Sequence, residues 1–305
     1  MVMEKSKEKR KLVNSQFNWN RFSYRVNIDF FKKWSSQMAY ILGFTFADGN
    51  IYKTTLSWDL KEDRELLVRI NKAMDSNYPI SKRKASFRLR LSNPVIIDDL
   101  RRLGIFPNKS KNMNFPIIPQ EYFSHFARGF FDGDGWIYIR KSRNEISAGF
   151  SSGSKKYLKK FVKNLSSCSK SSDGNLRIKS KITKRGIRAI SYQVDYFWEN
   201  AYRVLLYLYS GLTKRDLYLE RKYKKHKEAI ELYRWVKSGG RKWRVIEKKF
   251  GPMKETLSDL WKAGYNGPQI AKKLGVHSSS IYRWLISTNT RPVFKEIRRK
   301  GIIDG

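Results

Sequence analysis

The sequence predicts an α+β protein: a pseudo-twofold pair of αββαββα-type halves, followed by an all-α C-terminal domain. Two near-identical phrases carry the prediction, Gly43-Phe44-Thr45-Phe46-Ala47-Asp48-Gly49 and Gly129-Phe130-Phe131-Asp132-Gly133-Asp134-Gly135. Each follows an apolar stretch (Met38–Leu42, Phe123–Ala127) and leads into strand-like residues (Asn50-Ile51-Tyr52, Trp136-Ile137-Tyr138-Ile139). Asp48 and Asp134 lie 86 residues apart, about the length of one small α+β unit. The third observation is that the same kinds of element follow each phrase in the same order.

Residues 1–28 read as a basic tail with little core to contribute. The first half, 29–116, opens with an amphipathic helix expected from Phe30 through Trp34 to Ala47, closing at Asp48-Gly49. Gly43 and Ala47 are four apart, as are Gly129 and Gly133, so each helix carries a small-residue stripe on one face. Such stripes let two helix backbones approach closely. Asp-Gly alone is an ordinary turn signal. Its second occurrence with matching flanks points instead to a functional pair.

Thr54–Leu60 alternates like a strand and leads into a helix over Glu62–Met74, with Leu66, Leu67 and Ile70 on one face. Ser86–Leu91 alternates again, and Asn93–Leu103 forms a helix ending at Gly104. The second half, 117–225, repeats this order. Glu145–Phe150 is a strand, Lys155–Leu165 a helix, and Asn175–Ser180, Ile182–Thr183 and Ala189–Val194 form a longer two-strand element. A helix over Glu199–Tyr209 closes it.

Composition narrows the partner. The chain has 64 Lys+Arg against 27 Asp+Glu, a formal net charge of +37 on 305 residues. That excess points to a polyanion. With 17 Tyr, 9 Trp and 18 Phe, the chain can bury a core and is no disordered polycation. Cys168 is the only cysteine and there are three histidines, which disfavours disulfides, a zinc cluster or a histidine triad. The N-terminal stretch Glu4–Lys11 lacks the apolar core of a signal peptide, and no apolar run is long enough to span a membrane. These features predict a soluble, intracellular protein; it is expected to be cytoplasmic and nucleoid-associated, or organellar, and to act as a monomer.

The charge is concentrated on strand-like segments: Lys82, Arg83, Lys84, Arg88 and Arg90 in one half, and Arg177, Lys179, Lys181, Lys184, Arg185 and Arg188 in the other. Alternation puts Lys82, Lys84, Arg88 and Arg90 on one face, and Arg177, Lys179 and Lys181 on another. With no acidic residue among them in sequence, these faces are expected to form a saddle for a double-stranded DNA groove.

The two phrases resemble the twin motifs of the LAGLIDADG homing endonucleases in their single-chain form, over about residues 30–225. The resemblance implies that the motif helices form the interface between the halves. It also implies that the last acidic residue of each motif, Asp48 and Asp134, binds divalent metal at the scissile phosphates. Asp132 stands where the first phrase has Phe46 and is not counted as catalytic. The family's lysine near each site is matched by Lys109 and Lys222, which lie 61 and 88 residues past their aspartates. If they correspond, the second half carries an insertion of 27 residues. The chemistry agrees with the residues: paired carboxylates suit Mg²⁺ or Mn²⁺ when phosphates supply the other ligands, and lysines can offset developing charge.

Beyond residue 225 the pattern changes. A basic linker helix is expected over 226–252, and a helix-turn-helix over 253–305. Pro268–Val276 gives its second helix and turn, with Ile270, Ala271, Leu274, Val276, Ile281 and Leu285 as core. Ser278, Ser279, Tyr282 and Arg283 form the face for the major groove. The sequence thus predicts a site-specific double-strand DNA endonuclease, acting on a long asymmetric target and encoded within an intron. A DNA-binding regulator without activity would be expected to lack the two aspartates. An RNA intron-splicing maturase, with intron RNA as partner, is the other reading on the same fold.

Overall fold

Two four-stranded antiparallel sheets of identical topology organise the N-terminal part, ordered β1-β2-β4-β3 and β5-β6-β8-β7. The structure is a computed structural model describing residues 24–106, 113–182, 186, 188–238, 259–261, 263–277 and 281, with Lys181 and Arg188 described by backbone alone. The first half runs α1 (Ser36–Asp48), β1 (Asn50–Tyr52), β2 (Thr55–Leu60), α2 (Arg64–Ala73), β3 (Ile80–Lys82), β4 (Phe87–Ser92) and α3 (Pro94–Arg102). The second repeats it as α4 (Gln120–Asp134), β5 (Gly135–Arg140), β6 (Glu145–Ser152), α5 (Lys155–Ser169), β7 (Asn175–Ile182), β8 (Arg188–Phe197) and α6 (Trp198–Tyr209). Helix α7 (Glu220–Lys237) follows.

Several boundaries differ from expectation for local reasons. α1 begins at Ser36 rather than Phe30, because Ser35 is extended and its hydroxyl accepts the Met38 N–H at 3.1 Å as an N-cap. Phe30 and Phe31 are still buried, delivered by a turn rather than a helix. Asn93 caps α3 through Val95 and Ile96, and Gly104 follows it at φ +94. β7 is one unbroken strand, and β8 is longer than expected at both ends.

The helix expected to begin at 226 instead starts at Glu220. It buries His226, Ala229, Ile230 and Tyr233, so it belongs to the fold in front of it. The chain divides into two compact units, Met1–Arg234 and Trp235–Gly305. In the second unit the described residues include α8 (Gly267–Lys273), opened by an Asn266–Gln269 capping box. Ile270, Ala271 and Ile281 are buried there, with Leu274 and Val276 against them. Ser278, Ser279, Tyr282, Arg283 and Leu285 lie outside the described residues. Among the described residues no helix is long and apolar enough to cross a membrane.

α1 and α4 lie at the centre of the first unit. α1 is buried almost throughout, from Met38 to Phe46. Around the pair, Phe115, Phe126, Phe130, Phe150, Tyr157 and Phe161 form a continuous aromatic cluster. Burial of this size, rather than helix propensity, fixes the central helices.

Candidate active site

The two central helices touch backbone to backbone. A Cβ on Gly43 would fall 2.0 Å from the Phe126 carbonyl oxygen and 3.0 Å from the Phe130 nitrogen. One on Gly129 would fall 2.0 Å from the Tyr40 oxygen and 2.8 Å from the Phe44 nitrogen. Adding 86 to Gly43, Tyr40 and Phe44 gives Gly129, Phe126 and Phe130, so each contact is repeated by its twin. That reciprocity is what a twofold axis produces, here within one chain.

The axis brings the C-terminal ends of the two helices together. Asp48 and Asp134 are the last residues of α1 and α4. A Cβ on Gly133 would lie 3.2 Å from Asp48 Oδ2, so Asp48 rests against the residue preceding Asp134 in the opposite helix. Helix C-termini carry partial negative charge, and neither helix has a basic residue in its last turn. Two negative helix ends, each with a terminal carboxylate, thus converge on one locus.

Two αββαββ halves joined through helices that end in Asp-Gly define a known architecture. This is the arrangement that the resemblance to LAGLIDADG proteins implies. No family model matches the chain. Similar solved structures include the homing endonuclease I-WcaI bound to its DNA recognition sequence (14% identity, 65% of this chain and 90% of that one, TM-score 0.40). Another is the LAGLIDADG meganuclease I-AabMI bound to uncleaved DNA (14%, 66% and 92%, TM-score 0.42). A third is full-length DUF199/WhiA from Thermatoga maritima (17%, 90% and 96%, TM-score 0.38). A curated relative, the probable translation initiation factor IF-2 of Methanocaldococcus jannaschii, is 27% identical over 117 residues; the match takes in 35% of this chain and 10% of that protein.

The central helix pair is fastened by groups the sequence did not mark. Asp132 is fully buried and accepts from Tyr40 Oη at 2.7 Å, Tyr209 Oη at 2.6 Å and the Leu219 N–H at 2.7 Å. Burial pushes its carboxyl up, opposed by the Lys222 charge and these donors. Beside it, buried Arg128 donates to the Leu217 and Leu208 carbonyls and lies 3.8 Å from Asp216. Asp132 therefore ties the motif helices to the segment running into α7.

Lys222 does not stand open to solvent. It is 6% exposed, and its ammonium donates to the carbonyls of Phe131 (2.5 Å), Asp132 (2.8 Å) and Gly135 (2.6 Å). It thus caps the C-terminus of α4. Burial pulls it down to about 8, against the charges of Asp132, Asp48 and Asp134. Its ammonium is engaged in a backbone clamp on the helix that carries Asp134. Ser151 adds a hydrogen bond to the Asp134 carbonyl at 3.3 Å, and the Tyr157 phenol, pushed well up by burial, also feels the Asp134 charge. Lys109 lies outside the described residues.

Strand register sorts the basic residues differently from the sequence. Ser57 pairs with Arg90 and Asp59 with Arg88, so these four share the polar face of the first sheet. Lys82 pairs with Phe87 and falls on the opposite face, while Lys84 sits in the bend between β3 and β4. Arg83 closes that bend through its N–H to Ser86. The alternation that seemed to run from Lys82 to Arg90 is broken by this hairpin. In the second sheet Arg177, Lys179 and Lys181 keep the predicted spacing, whereas Arg188 pairs with Ile182 in the alternate row. Lys184 and Arg185 lie outside the described residues.

The faces also carry acids contributed by neighbouring strands. Arg88 meets Asp59 through Nε and Nη2 at 2.8 Å, and Arg177 meets Asp195 at 2.7 Å. Only cross-strand pairing reveals them.

The paired carboxylates suit Mg²⁺ or Mn²⁺ in type and number. Among the described residues no three His, Cys, Asp or Glu side chains are grouped to hold a metal. A small hard cation that keeps its waters and takes phosphate oxygens needs no more than two protein carboxylates.

Proposed function

We propose that the protein is a divalent-metal-dependent, site-specific double-strand DNA endonuclease. The observation that carries this reading is the reciprocal Gly43/Gly129 contact, which sets Asp48 against the backbone beside Asp134. Asp48 and Asp134 hold Mg²⁺ or Mn²⁺; when bound, the ion supplies Lewis acidity at a scissile phosphate and an acidified water. Lys222 holds the end of α4 so that Asp134 keeps its place, and Lys109 stands as the remaining candidate for a lysine at the phosphate. The polar sheet faces, with Arg90 and Lys179 exposed beside the paired Arg88 and Arg177, lie along the duplex. In the second unit a helix-turn-helix adds affinity and lengthens the target without supplying chemistry. The DNA-bound neighbours named above accord with this partner.

The test is a randomised duplex pool incubated with full-length protein and Mg²⁺, with newly created ends captured and sequenced. One recurrent long asymmetric site cut in both strands supports the proposal. Selection of a site that is bound and never cut would leave a DNA-binding protein and remove the nuclease.

A further inference from the structure

One pair of exposed side chains survives the duplication unchanged. Tyr52 and Tyr138 each lie four residues past a motif aspartate and are again 86 apart. Ile51 and Ile137, one residue earlier, are buried, so strand alternation turns both tyrosines to the polar face. They are 64% and 50% exposed. Each has a cation over its ring, Lys53 at 5.6 Å and Arg140 at 5.7 Å. Their neighbours on that face have diverged. Tyr52 lies in register with Thr55 and Ser92, Tyr138 with Ser147 and Phe197. Nearer the aspartates, Asn50 stands opposite Ser57 while Trp136 packs over Gly149.

A single exposed tyrosine needs no explanation. Two at twin positions, on faces that otherwise differ, mark a contact needed twice. A duplex lying symmetrically across the helix pair makes that demand.

We infer that Tyr52 and Tyr138 are specificity-determining residues reading thymine 5-methyl groups beside the two cut sites, one ring per half-site. This rests on the endonuclease reading. Four residues of extended chain reach at most about 13 Å, or roughly four base steps of 3.4 Å from the metal locus. The ring edge suits the apolar thymine methyl, which distinguishes this base in the major groove. The adjacent Lys53 and Arg140 meet the phosphates that flank it. The different neighbours make the two half-sites unequal in sequence while the tyrosine contact stays common.

The experiment uses full-length protein and the duplex it selects from the randomised pool, with affinity measured in EDTA so that nothing is cut. Thymines within four base pairs of each cut are replaced by uracil, which removes only the methyl. The wild type is expected to lose about 5-fold in affinity per half-site. Tyr52→Ala should be indifferent to uracil in one half-site and Tyr138→Ala in the other, while Tyr52→Phe and Tyr138→Phe should behave as wild type. Indifference of the wild type, selected sites without thymine there, or alanine variants as sensitive as wild type would overturn the inference while leaving the nuclease in place. A pool from which no site is selected would remove both.

Discussion

Asp132 and Asp134 lie two residues apart in the second phrase, yet their surroundings assign them different work. Asp132 is enclosed by donors from Tyr40, Tyr209 and Leu219, and its charge is faced by Lys222 and Arg128. Removing it leaves two phenols and an N–H without their acceptor and two buried cations less compensated. Asp132→Ala should therefore cost about 3–5 kcal/mol in chemical denaturation. A loss below about 1 kcal/mol would show that the carboxylate is not the fastening between α4 and the approach to α7. Lys222 shows the same lesson with the opposite sign of charge. Its place in the sequence was legible from the resemblance; its clamp on the Phe131, Asp132 and Gly135 carbonyls was not, because a lysine's partner is set by tertiary burial.

At the scale of elements, the α1–α4 contact decides the geometry of everything attached to it. Gly129→Ala would place a methyl 2.0 Å from a backbone oxygen that cannot move without its helix. The variant should lose at least about 3 kcal/mol, above the usual range for overpacking, because the clash is with backbone rather than side chain. A loss below about 1 kcal/mol by denaturant unfolding would contradict the close approach.

Helix α7 carries a pH-dependent contact. His226 is held down to about 4 by burial, with Arg234 and Lys227 adding to the shift. Its unfolded value lies near 6.5, so the unfolded chain binds the extra proton between pH 6.5 and 4. Stability from this group is then complete above pH 6.5 and is lost as pH falls toward 4, by up to about 3 kcal/mol. His226→Phe, which keeps a ring stacked on Tyr223 and tilted against Tyr209, should flatten that slope. Thermal unfolding across pH 7 to 4 reads it, and an identical slope in both proteins would refute the assignment.

These elements were legible to different degrees. Twin phrases and amphipathic spacing are local signals, and they located the repeated elements, the helix pair and the aspartates at its two ends. The start of α1 depended on a cap at Ser35 hidden behind an apolar Phe30-Phe31. The grouping of Lys82 with Arg88 failed because the chain folds back between them. Asp59 and Asp195 were invisible beside the arginines they pair with, since each comes from a strand distant in sequence.

The molecule as a whole carries +37, far beyond what its visible ion pairs offset. Binding to DNA should release many counterions, giving a slope of log K against log salt steeper than about −5, near −0.9 per phosphate contacted. A chain ended after Ser238, which keeps α7 whole, should bind more weakly and with a shallower slope, yet cut the same bond. Equal slopes for the two chains would remove the second unit from the interface.

In the proposed nuclease, one carboxylate from each half meets at the helix-pair axis to form a single metal-dependent site. The most direct measurement is cleavage of a plasmid bearing the selected site by wild type, Asp48→Asn and Asp134→Asn in Mg²⁺, with affinity and unfolding measured in parallel. Either substitution should reduce cleavage at least about 1,000-fold, as should EDTA with the wild type, since a metal ligand is lost. Affinity for DNA should change less than about 3-fold, and stability should hold. Full cleavage by either variant, or cleavage undiminished in EDTA, would contradict the paired-carboxylate site.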